Sequence, residues 1–324
     1  MRKLIFLLFI TINIILLISC DDQVDPKTDF KDVYALNCVI RGDTSFQVAT
    51  ITRSYNVEGF DPLTNTNDPF IKGAVIKLTY KSNGRTYTFR DTTIARPDDS
   101  RYSTPMSYYY IKDFRPTTLS PISIEATLPN GKILRANSTT FFASPYLIQN
   151  LFYSIPIAVI GNSLVFNWTR IATSNNEKIY YVPELVIRYA KIQNGTTVEM
   201  QKKVPLFYIN GDIPFYPSIQ GDITSASFDT LTIRRSIEEI SSGDPDKQNY
   251  IIHKAVFRLL ITDKNLAVYY SAQKTFLDEF SVRVTQPEFT NINGGLGIFG
   301  TLTSTQVDVP IKASYIRSFG YLPN

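Results

Sequence analysis

Histidine occurs once in this chain, tryptophan once and cysteine twice. Each scarcity removes a class of chemistry. A zinc site needs Cys and His clustered at short spacing, and no such cluster exists. A Ser-His-Asp or Cys-His centre could form only around His253, in Tyr250-Ile-Ile-His-Lys254, and no G-x-S-x-G elbow accompanies it. A structural or solvent-facing strand histidine is the simpler reading. Two cysteines build no disulfide framework, and Cys38, within strand-like Tyr34-Ala-Leu-Asn-Cys-Val-Ile40, reads as a small buried hydrophobe rather than a reactive thiol. No run of Lys or Arg exceeds two, so the patch that neutralises phosphates is missing and nucleic acid is set aside as a partner. Beyond residue 18 no apolar stretch approaches the ~20 residues that cross a bilayer.

What is present begins with an address. Arg2 and Lys3 form a basic start, Leu4 to Ile18 an apolar run broken by Thr11 and Asn13, and Leu17-Ile18-Ser19-Cys20 a small-residue cleavage pattern ending in cysteine. This resembles a bacterial lipoprotein signal. The resemblance implies removal of residues 1–19, acylation of Cys20 and attachment to a lipid bilayer, since several acyl chains on one residue hold where one is marginal. Residues 20–32, acidic and without apolar periodicity, read as a tether. An acidic stretch directly after the lipidated cysteine also resembles surface-export signals of Bacteroidetes lipoproteins, which implies the outer membrane and the cell surface.

Removing the signal leaves 324 − 19 = 305 residues, and losing Arg2 and Lys3 reduces 33 basic side chains to 31 against 29 acidic ones. The mature chain is therefore near neutral and long enough for two domains. Twenty Tyr, twenty-one Phe and abundant Thr, Ile and Val favour strands over helices. We expect a mostly β chain of two sandwiches: an immunoglobulin-like one over residues 31–143, and a fibronectin type III-like one over 144–324 carrying a short helical insertion.

The first half supplies short β-forming runs punctuated by Ser82-Asn83-Gly84 and Pro129-Asn130-Gly131, each predicting a hairpin because Asn-Gly accepts the positive φ of tight turns. In the second half, Leu164, Phe166 and Trp168 alternate on one face, resembling the buried-tryptophan strand of fibronectin type III domains. Asn194-Gly195 predicts a further hairpin, and Phe228 to Arg234 a strand. Phe207 to Asp222, with two Pro and two Gly, reads as a long loop. Asp263 before Leu266, Tyr269, Tyr270, Gln273 and Phe276 predicts a capped helix over 264–278, and Ser236 to Ile240 a helical turn.

Ile71-Lys-Gly-Ala-Val-Ile-Lys-Leu-Thr79, Gly84-Arg-Thr-Tyr-Thr-Phe89, Ile122-Ser-Ile-Glu-Ala-Thr-Leu-Pro-Asn-Gly-Lys132 and above all Asn291-Ile-Asn-Gly-Gly-Leu-Gly-Ile-Phe-Gly300 resemble a large family of Bacteroidetes outer-membrane lipoproteins. Members often accompany TonB-dependent transporters and have no assigned activity. The resemblance implies a surface or transporter-associated role, with an outer-membrane transporter as partner.

Three patterns compete as sites. Gly295-Leu-Gly-Ile-Phe-Gly300 spells a dinucleotide fingerprint, yet a strand-like sequence follows where a phosphate-binding helix should start; a glycine-rich bend for close backbone packing fits better, and no cofactor is expected. Asp61, Asn65, Asn67 and Asp68 gather the hard oxygens calcium prefers, but match no EF-hand, and a solvated turn outweighs a metal site. Glu238, Glu239, Asp244 and Asp246 could supply the paired carboxylates of a glycosidase, though a charged loop explains them. The aromatics Tyr108, Tyr109, Tyr110, Phe215 and Tyr216 are the candidates for stacking on a ligand. The reading favoured is a non-enzymatic, lipid-anchored surface protein binding a ligand or a transporter; a structural or adhesive surface module and a carboxylate-based hydrolase are the alternatives.

Overall fold

Period-two burial governs the first half of the chain. A computed structural model describes residues 30–57, 61–96, 102, 104–140, 148–149, 154–156, 163–171, 178–274 and 289–324; the signal segment, Cys20 and most of the tether lie outside them. Strand β1 (Tyr34–Arg41) turns Leu36, Cys38 and Ile40 inward and fully buries them. The remaining strands are β2 (Gln47–Arg53), β3 (Val75–Tyr80), β4 (Thr86–Thr88), β5 (Arg90–Ile94), β6 (Met106–Ile111), β7 (Ser120–Thr127) and β8 (Ile133–Thr140). They form two facing layers, β1-β2-β6-β5 and β4-β3-β7-β8. Ile51 and Tyr109 from one layer share a core with Ile76, Leu78, Ile122, Ile124 and Leu134 from the other. A buried Leu or Ile stabilises by about 1.5–3 kcal/mol, which is how a sandwich without a disulfide holds. Cys38 is a free, buried thiol in this core, and burial pushes its pKa far above the ordinary range, so it is inert. The turns at Gly84 and Gly131 join β3 to β4 and β7 to β8 as antiparallel hairpins.

The second half repeats the two-layer plan. Its strands are β9 (Ile148–Gln149), β10 (Ser163–Trp168), β11 (Tyr180–Gln193), β12 (Thr196–Val204), β13 (Phe207–Ile209), β14 (Ile213–Phe215), β15 (Gln220–Gly221), β16 (Ser225–Asp229), β17 (Tyr250–Thr262), β18 (Leu296–Val309) and β19 (Leu322–Pro323). Helices α1 (Thr230–Glu238), α2 (Lys264–Lys274) and α3 (Ala313–Ser318) interrupt them. The layer β16-β10-β9 lies over β12-β11-β17-β18. Phe166 stacks on Phe257 at 3.9 Å, and Trp168, 2 % exposed, tilts against the same ring at 6.2 Å, so the lone tryptophan is a core anchor.

The two halves are not separate sheets. Residues 302–309 of β18 pair antiparallel with β17, while 296–302 pair in parallel with β1, so one sheet runs β12-β11-β17-β18-β1-β2-β6-β5 through both cores. A second sandwich over 144–324 would exclude Ile292 and Phe299 from the first core, yet both complete it. The glycine phrase makes this possible. A Cβ on Gly295 would lie 2.4 Å from the Tyr34 carbonyl oxygen, and one on Gly297, at φ 106°, 2.1 Å from that of Leu36. Only bare backbone lets β18 approach β1 so closely.

Three expectations need correction. Phe228 to Arg234 is not a continuous strand: Asp229 accepts the Leu231 N–H at 3.3 Å as an N-cap, α1 starts at Thr230, and Ile233 and Ile237 are buried one turn apart. Phe207 to Asp222 is not a loop but contains a hairpin, turning at Asn210 and Gly211 with φ of 50° and 84°. The insertion helix does start at Lys264, with Asp263 Oδ1 accepting the Leu266 N–H at 2.9 Å. It serves the junction rather than the second sandwich alone, because Ser138 Oγ of β8 donates to Asp263 Oδ2 at 2.6 Å and Asn265 donates to the Asn137 carbonyl at 3.0 Å. Leu266 is buried and Tyr270 is 45 % exposed, so its Leu packs and that Tyr does not; residues 275–278 lie outside the described residues.

Candidate functional site

Alternation splits the tyrosine triplet. Tyr109 points into the first core, 1 % exposed; its hydroxyl donates to the Ile71 carbonyl at 2.8 Å and accepts the Ala74 N–H at 3.0 Å. Burial raises its pKa, so it stays a neutral donor and acts as a structural strut. Tyr108 and Tyr110 face outward, half-buried, with ring centroids 6.3 Å apart. Phe46 stacks on Tyr110 at 5.5 Å and 18°, and the Lys112 ammonium lies 5.6 Å from the Tyr110 centroid. The face of Tyr110 is thus largely occupied by its own neighbours.

Phe215 belongs to a different surface. In the β13–β14 hairpin Phe207 pairs with Phe215 and Ile209 with Ile213, which places all four side chains on one face. They are 44, 38, 40 and 60 % exposed, and Tyr216 next to them 43 %. Phe207 and Phe215 stack at 4.7 Å. The opposite face is fixed: Tyr208 lies under the Arg235 guanidinium of α1 at 3.9 Å, and the same guanidinium donates to the Gly211 carbonyl and sits 3.6 Å from Asp212. Glu239 orients that arginine at 2.8 Å and also holds Lys202 at 3.0 Å. Burial opposes ionisation of Glu239, but these two cations outweigh it and keep its carboxyl below the usual carboxylate range. The result is an apolar ribbon held from behind by charge.

The two aromatic sets do not form one site. Six inter-strand spacings separate β12, which leads into the ribbon, from β6, about 29 Å at ~4.8 Å each. No single sugar ring or short peptide spans them.

The other candidates resolve into local structure. Asp61 Oδ1 accepts the Leu63 N–H at 2.8 Å, Asp68 Oδ1 the Phe70 N–H at 3.0 Å, and Asn65 Oδ1 the Asn67 N–H at 3.2 Å, so these oxygens make turns rather than converge. The second Asp68 oxygen meets Arg96 at 2.9 Å. Among the described residues no group of three or more His, Cys, Asp or Glu is placed to hold a metal. Glu238 pairs with Arg234 at 3.1 Å, and Asp244 accepts from the Tyr250 hydroxyl at 3.0 Å, its pKa lowered by the Asp246 N–H and that hydroxyl. A glycosidase acid needs a raised pKa, and Glu239 and Asp244 move the other way. His253 lies 3.3 Å from Glu199 on the outer face of the sheet. A polar cleft of about 440 Å³ opens between β7, β8 and Asn291, lined by Lys81, Glu125, Arg135 and Asn137; Glu125 and Arg135 pair at 2.7 Å within it.

The fold and surfaces thus define a mostly β, sandwich-like protein that, among the described residues, exposes an apolar ribbon. The chain matches no protein-family model and no curated protein. The ribbon was half visible in the sequence: Phe215 and Tyr216 were candidates, while Phe207, Ile209 and Ile213 were missed. Asn210-Gly211, the same dipeptide that marks the other hairpins, would have located it.

Proposed function

We propose that this is a non-enzymatic, lipid-anchored envelope protein, held in the outer membrane through acylated Cys20 and facing the cell surface, that binds a partner through its β13–β14 ribbon. A TonB-dependent outer-membrane transporter is the partner that the family resemblance implies. The observation carrying the reading is the ribbon itself. Four apolar side chains on one exposed face, braced from behind by Arg235, lose water on contact without having to be ordered first. The lipoprotein-like start supports the anchoring half of the reading independently.

A crosslinked pull-down from the native envelope tests both halves. The wild type should retain a stoichiometric membrane partner; Phe207→Ser with Phe215→Ser should lose the partner but stay in the membrane fraction, and Cys20→Ala should leave the membrane fraction. Retention of the same partner by the serine variant would remove the ribbon from the account. Hydrolysis of glycans or peptides by pure protein, lost on Glu239→Gln, would overturn the non-enzymatic reading.

A further inference from the structure

Strand β12 is an edge of the ten-stranded sheet. It runs nine residues without proline, and its nine pairs with β11 show no register shift, so neither of two common edge protections is present. The other edge, β5, has only five residues. Parity of the hairpin decides what the edge offers. Gln193 and Thr196 flank the two-residue Asn194-Gly195 turn, so they and every second pair onward, through Val198, Met200 and Lys202, exchange hydrogen bonds with β11. Thr197, Glu199, Gln201 and Lys203 direct their N–H and C=O groups away, and among the described residues these groups have no backbone partner.

We propose that this edge pairs antiparallel with β12 of a second copy, about a two-fold axis through Gln201. Only certain registers let outward groups meet outward groups. The axis at Gln201 puts Glu199 opposite the partner's Lys203, and the same pair recurs on the other side of the axis. Moving the axis to Glu199 or Lys203 sets like charges face to face, which is destabilising, and moving it to Met200 sets Glu199 against Gln201 with no charge paired. The charges stand on the correct face for this, as Lys203 reaches Glu184 at 2.8 Å and Glu199 reaches His253 on the outer side of the sheet. On the inner side the exposed Met200, 42 % accessible, gains the partner's Lys202 stem as a cross-strand neighbour, while Val204 stays in its own core. About six backbone hydrogen bonds form across the axis, and one sheet then runs through both protomers. Lys202 is common to the two surfaces, since it also holds Glu239, which orients the arginine behind the ribbon.

The test is disulfide trapping of the full-length chain in its own membrane. In a hydrogen-bonded antiparallel pair, facing Cα atoms lie about 5.5 Å apart, within disulfide reach. Gln201→Cys should give about tenfold or more covalent dimer than Thr197→Cys, whose two copies would lie far apart, with the wild type reporting any background from Cys20 and Cys38. Adding Lys203→Glu to Gln201→Cys should cut the dimer several-fold, and adding Glu199→Lys as well should restore it. Equal yields at positions 201 and 197, failure of the swap to restore dimer, or trapping of Gln201→Cys mainly to a different protein would each overturn the proposal.

Discussion

Of two outward-facing aromatic surfaces, one lies on β6 of the long sheet and the other on the separate β13–β14 ribbon, and they differ in what lies behind them. Tyr108 and Tyr110 belong to a strand backed by a complete sandwich, so their neighbour Tyr109 is consumed by the core, while Tyr110 stacks on Phe46 and lies tilted against Tyr108. The ribbon has Arg235 and its acidic partners behind it among the described residues, and all four of its apolar side chains remain outside. An aromatic-rich run therefore says little by itself. The presence or absence of a second layer decides whether it becomes core or surface.

Four measurements would break or sharpen that contrast. Tyr109→Phe removes both hydroxyl bonds and leaves the Ala74 N–H and Ile71 carbonyl short of a partner, so the urea midpoint should fall by the equivalent of about 1–3 kcal/mol. The double change Phe207→Ser, Phe215→Ser should cost less than about 1 kcal/mol globally and should reduce binding of an apolar dye. A larger loss would mean the ribbon supports the core. Arg235→Ala should leave the global midpoint almost unmoved while amide exchange over 207–215 accelerates, because it removes the contacts to Tyr208 and Gly211 and, besides them, only a half-exposed pair with Glu239. The same local protection should respond to acid. With its folded carboxyl held below the usual range, Glu239 contributes fully above its unfolded pKa, and the contribution disappears as pH falls through the folded value, so protection relative to the intrinsic exchange rate should drop below about pH 4. Ribbon protection that is flat from pH 7 to pH 3 would remove Glu239 from the brace.

How much of this was legible depended on distance along the chain. The Asn-Gly hairpins and the Asp263 cap are decided within a few residues, and each occurs where the sequence puts it. The strand expected over Phe228 to Arg234 failed because β-forming Thr and Ile masked a stronger local cue, the Asp229 cap followed by Ile233, Ile237 and Ile240 at helical spacing. The ribbon was obscured by the density of Pro and Gly around it. The union of the two sandwiches was beyond local reading altogether. Gly294 to Gly300 announced a close backbone approach, but nothing in that phrase names β1 as the backbone approached.

That union also sets a timetable. Ala35 pairs with Leu296, a separation of 296 − 35 = 261 residues, so the first sandwich keeps an open edge on β1 until nearly the whole chain exists. Contacts this remote form late and slowly. Synthesis from the N-terminus therefore yields a first half that cannot finish folding by itself, with Phe299 still missing from its core. In the exported protein proposed here, such a delay would keep the polypeptide threadable through a membrane and release it to fold only once its last strands have arrived on the far side.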